Sequence, residues 1–173
     1  MRTETHIATK SDIFVQHTIT QCQQDKGFSA ILRRAGDPAT EYQCWEHLVA
    51  FQIDLDNDYL RLPYATIAAA IAKAKVRHNG TTGIGRAIAQ CYEDGHNSYQ
   101  AKTKLRRLLA SENVEEICRI LPPVFSLIDT KANITLNYVQ LLKDLLNFHH
   151  DSQWVKTRWA QDFYHRVPIE EQA

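Results

Sequence analysis

The chain has no run of about 18 to 20 consecutive apolar residues, the length a helix needs to cross a bilayer. Its first ten residues, MRTETHIATK, are polar where a secretory leader is apolar. Membrane and export readings are set aside, and a cytoplasmic protein is expected. Cysteine is sparse: Cys22, Cys44, Cys91 and Cys118 form neither a CxxC pair nor a dense disulfide framework, and they read as reduced thiols lining a core. No useful stretch alternates apolar and polar residues, and no repeat of fixed period emerges, which excludes a sheet protein or a solenoid.

The usual signatures of chemistry are missing as well. None of the eight histidines has HExxH spacing or a cysteine partner at ligand distance, so no metal is expected. Asp54, Asp56 and Asp58 match the start of a calcium loop, but Tyr59 stands where glycine is required and Ala65 where glutamate is. Gly80, Gly83 and Gly85 are not followed by GK[ST] and no strand precedes them, so neither a Walker loop nor a dinucleotide fingerprint is supported. Amides at the start of the helix near Gly85, beside Arg86, leave open a site for one phosphate, against a turn required for tight packing. No pair of titrating groups identifies acid–base catalysis. The expectation is a non-enzyme with no catalytic residues, cofactor or metal.

Net charge is absent too, with 20 basic and 20 acidic side chains, but the balance is not local. Residues 61–109 carry nine basic groups against two acidic ones, while both flanking segments are acidic. Clustered Lys and Arg displace counterions from phosphates, so this stripe matters more than the total. The bland alternative is a set of solvated helix faces.

Helical periodicity accounts for most of the chain, whose apolar fraction of 44% suits a globular core. Ser11 is expected to cap a helix to about Gln24, carrying Ile13, Phe14, His17 and Ile19. Phe28 to Ala35 form a second, ended by Gly36. Asp37-Pro38 is expected to start a third, with Tyr42, Trp45, Leu48 and Val49 inward. Pro63 opens an Ala-rich helix to about His78, placing Lys73 and Arg77 on one edge, and Asn79-Gly80 ends it. A short helix follows Gly85, and another spans Tyr99 to Ala110. Asn113 and Glu116 suggest a capping box. Pro122-Pro123 should break or kink the helix they occupy. Two more run from about Ile134 to His149 and from about Ser152. Trp45, Trp154 and Trp159 read as core anchors. The fold class is all-α, with eight or nine short helices in two packed lobes, 11–95 and 98–166. Residues 1–10 and 167–173 are expected to be flexible.

The segments ILRRAGDPA (31–39), VRHNGTTGIGRAIAQ (76–90), KLRRLLAS (104–111) and ICRILPPVFSLI (117–128), in this order and all-helical setting, resemble the CasB small subunit of type I-E CRISPR Cascade complexes. The likeness covers roughly residues 11–165. It implies a two-lobed, non-catalytic protein present in two copies, whose partners are crRNA, target DNA and the other Cascade subunits. Its basic surface would help stabilise the R-loop. The nucleic-acid contacts implied are Arg33, Arg34, Arg77 and Arg86, then Arg119, Lys156 and Arg158, with Lys104, Arg106 and Arg107 from the KLRRLL segment; Lys73 joins them from the stripe. The acidic ends depart from a strongly basic pattern. Two other classes stay open: a helical adaptor binding protein, and a nuclease or other hydrolase using scattered His and Asp.

Overall fold

The computed structural model describes residues 7–165 of the chain, and among these it forms nine α-helices, three 3₁₀ turns and no named strand. The expected flexible ends fall mostly outside the described residues. No helix among them is long and apolar enough to cross a membrane.

Helix α1, Lys10–Gln24, is capped by Thr9 and not by Ser11. The Thr9 hydroxyl accepts the Asp12 amide and the Asp12 carboxylate accepts the Thr9 amide, a reciprocal box that Ser11 has no partner to form. Phe14, Val15, Thr18 and Ile19 then face inward, while Ile13 points to solvent. Asp25 ends α1 and caps α2, Lys26–Arg33, by accepting the Phe28 amide at 3.0 Å. Asp37 does not start a helix: its carboxylate closes a local turn by accepting the Ala39 amide. A 3₁₀ turn at Glu41–Cys44 precedes α3, Trp45–Ala50. Its three-residue repeat rotates the apolar register, so Cys44, His47 and Leu48 are buried and Tyr42, Trp45 and Val49 are not.

The centre of the molecule is α4, Asp58–Ala74, in which every residue from Pro63 to Ala72 is buried. Small alanine side chains let helices approach from several sides, as expected for a helix apolar all round. It begins at the Asn57 cap, six residues before Pro63, so the proline forfeits one hydrogen bond inside the helix. It ends at Ala74, earlier than the sequence suggested, because Lys75 adopts the left-handed conformation (φ 50°).

The remaining helices are α5 (Ile84–Gln90), α6 (Tyr99–Leu109), α7 (Val114–Lys131), α8 (Tyr138–Asn147) and α9 (Ser152–Phe163). Asn113 caps α7, but Glu116 reaches the Glu112 amide, so the box is not reciprocal. Helix α7 continues through Pro122-Pro123. Leu121, Val124, Phe125 and Ile128 bury themselves along the seam with α4, and that packing outweighs two lost donors. Helices from both sides of Gly95 share one apolar cluster, with α4 against α7 and α8, and α5 against α9.

His47 lies in that cluster beside Phe14, Phe28 and Phe51. The Thr18 hydroxyl donates to the Phe14 carbonyl at 2.7 Å, so it accepts from His47 Nε2 at 3.0 Å, which selects the Nε2–H tautomer of the neutral ring. Burial, helped by His17, pulls the His47 pKa down to about 4. An unfolded histidine titrates near 6.5, so between these values the unfolded chain binds the extra proton. Stability is therefore full above about pH 6.5 and falls by on the order of 3 kcal/mol as pH drops towards 4. Denaturant midpoints at neutral and acid pH should show this loss in the native chain and a smaller one in His47→Gln. Equal losses would place the titration elsewhere.

Candidate nucleic-acid interface

The left-handed turn at Lys75 takes the chain out of α4 and lays residues 75–77 beside α1 and α2. Gln23 holds the segment there, its side-chain amide donating to the Arg77 carbonyl at 2.9 Å. The groove that results is lined by Lys26 and Arg33 from α2 and by Lys75 and Arg77 from the segment, over Cys22, Gln23, Ser29 and Val76. Its lining contains four cations and no carboxylate. Burial pushes the Cys22 thiol up, with Ser29 and Arg33 partly opposing, so the floor adds no anion. On the other side of the same segment a second groove adds His78 and Lys131, with Asp129 as its acid. Lys75 and Arg77 face both.

Such a site is suited to phosphate oxygens, because guanidinium groups donate to them in pairs and ammonium groups add charge without fixed direction. Sequence reading found Arg33 and Arg77, counted Lys75 only as one of the nine cations of the stripe, and did not single out Lys26 or Lys131. The helix-stop at Lys75, which turns two cations towards α2, has no glycine to advertise it.

The other expected contacts lie elsewhere. Lys73 and Arg77 do not share an edge, since the helix ends between them; Lys73 borders a depression made by Gly36, Ala69, Phe125 and Asp129. Arg34 is exposed, and its carbonyl accepts from the Thr40 hydroxyl. Arg106 and Arg107 are exposed and Lys104 half-buried on α6, which packs on α5, α7 and α9 and lines neither groove. Arg119 is paired with Glu115 at 2.7 Å, and Lys156 sits 5.7 Å from the Phe148 ring centroid. Arg158 meets Asp144 at 2.6 Å. Arg61, counted in the basic stripe, is taken up by Glu41 and Asp58.

The glycine loop is a packing seam. The Arg86 amide, at the start of α5, donates to the Asp162 carboxylate at 2.8 Å, which occupies the place considered for a phosphate. A side chain at Gly80 would strike the main chain of Thr135, and one at Gly85 the main chain of Trp159. Asn79 works for the next element, its side-chain oxygen accepting the Tyr138 amide at 2.8 Å at the start of α8. Arg86 itself is half-buried on α5.

Of the three tryptophans expected in the core, Trp159 alone is buried. Its indole N–H donates to Asp144, a carboxylate that also accepts from Gln140 and Arg158. Burial raises the Asp144 pKa, opposed by these hydrogen bonds and by the Arg158 charge. Trp154 and Trp45 are partly exposed, each with an arginine over its ring.

Residues 29–164 match the family model described as CRISPR-associated protein Cse2. Solved structures share the fold. CasB of M. ruber is 22% identical, with 96% of this chain and 98% of that one covered at a TM-score of 0.73. A Cse2-family protein of Thermus thermophilus is 19% identical, with 92% and 100% covered at 0.74. A chain of a CRISPR RNA-guided surveillance complex is 23% identical, with 94% and 96% covered at 0.66. No curated protein matches the chain at a significant level.

Proposed function

Since this chain belongs to the CRISPR-associated Cse2 family, we propose that it is a non-catalytic subunit of a cytoplasmic RNA-guided surveillance complex that holds nucleic acid by its phosphates. The observation that carries this reading is the groove of Lys26, Arg33, Lys75 and Arg77, where cations from two separate parts of the chain meet with no carboxylate in the lining. Repulsion between closely spaced strands is offset by such groups, while base identity is read by guide pairing. In this reading the partners are crRNA, the target DNA of an R-loop, the other subunits and a second copy of the chain.

The groove sets the expected salt dependence. Four neutralised phosphates give a log–log slope of about −3 for a single strand. Arg33→Ala with Arg77→Ala should flatten it to about −1.4, measured by anisotropy of a labelled oligonucleotide over a salt series. An unchanged slope in a folded double variant would remove the groove from the interface.

A second reading, an adaptor that touches only protein, draws on the exposed Tyr42, Trp45 and Val49 around α3. Absent or salt-independent binding in the same titration would favour it.

A further inference from the structure

We propose that the turn between α8 and α9 is a stacking platform for an unpaired nucleobase, centred on Trp154. The inference rests on the nucleic-acid reading above and narrows it to single strands, since a duplex hides its base faces.

Trp154 lies in the first turn of α9, its amide donating to the Asp151 cap, and is 49% exposed. Arg158, one turn later, sets its guanidinium 4.7 Å from the ring centroid. Asp144 holds that guanidinium at 2.6 Å and is itself fixed by Gln140 and Trp159. The cation is thus committed to the carboxylate and the indole, and it orients the ring instead of reaching for a phosphate.

A second stack flanks the same turn. Tyr59, from the start of α4, lies against His149 with centroids 4.3 Å apart and planes 9° from parallel, and His150 follows at 3.7 Å. Lys156, beside the Phe148 ring, adds a charge on α9. Within residues 147–158 the large exposed apolar group is Trp154, and no aliphatic side chain is exposed beside it. An open ring face, with the Lys156 ammonium on the same helix, suits a base and its phosphate. Stacking of this kind tolerates any sequence, because every base has a π-face.

The test compares a labelled oligothymidylate with an abasic oligomer of equal length, using the full purified chain. Trp154→Ala should weaken oligothymidylate binding by on the order of tenfold and leave the abasic oligomer within about twofold. Trp154→Phe should restore most of the loss. Equal losses on both oligomers, or no loss on either, would overturn the platform while leaving the phosphate groove standing. Wild-type chain that binds neither oligomer would overturn the nucleic-acid reading and the platform with it. The half-exposed position keeps the substitutions out of the core.

Discussion

Replacing Gly85 with alanine is expected to cost about 3 kcal/mol and to lower the thermal midpoint by roughly 10 °C. In a solvent-exposed helix the same change would stabilise by about 1 kcal/mol, because alanine restricts the unfolded chain. Close packing reverses the sign. The added Cβ would collide with the main chain of Trp159 and Phe163, which cannot rotate aside as a side chain could. Helix α5 would have to move off α9, and the hydrogen bond from the Arg86 amide to Asp162 would open with it. Circular-dichroism melting checks this. A variant as stable as the parent would show that the two helices do not approach this closely. Gly95 is the control, since it has φ 53° and nothing within 4 Å of an added Cβ, so its alanine variant should bear the backbone cost alone, about 1 to 2 kcal/mol.

Asp144→Ala should destabilise by about 3 to 5 kcal/mol, because it strands an arginine and an indole N–H together. Asp144 is 3% exposed, and its carboxylate accepts from Gln140, Trp159 and Arg158, joining α8 to α9. Asp144→Asn keeps the shape and one acceptor while removing the charge, and should lose less. Urea midpoints for the pair separate the two contributions. Equal stability of Asp144→Ala and the parent would mean that solvent reaches this carboxylate, contrary to the geometry. The variant also releases Arg158 from its fixed place over Trp154, which links the stability of the α8–α9 turn to the proposed base platform.

The two expectations correct the same kind of sequence reading. A glycine-rich loop beside an arginine looks like an anion site when its partner strand or helix is unknown. Asp162, 76 residues further on, already supplies the anion. Arg158 likewise reads as a free basic residue of the last helix until Asp144 is found against it. Charge counts cannot reveal such pairings, since the partners are brought together only when α8 and α9 pack. Lys26 and Lys75 err the other way. Lys26 lies outside the basic stripe and Lys75 is only one of its nine cations, yet the left-handed residue at Lys75 brings both to the groove with Arg33 and Arg77.

What periodicity and composition determined was the class of the molecule: helices throughout, an Ala-rich one among them, and Trp159 as a core anchor of the last helix. These are local properties, set by which side chains recur every three to four residues, and they survive whatever the neighbours are. The passage of α7 through two prolines, the outward turn of Trp45 and Trp154, and the choice of which cations stay exposed were decided by tertiary structure. Each depends on the energy of a contact between residues distant in sequence, and such contacts outweigh the preferences that the chain expresses locally.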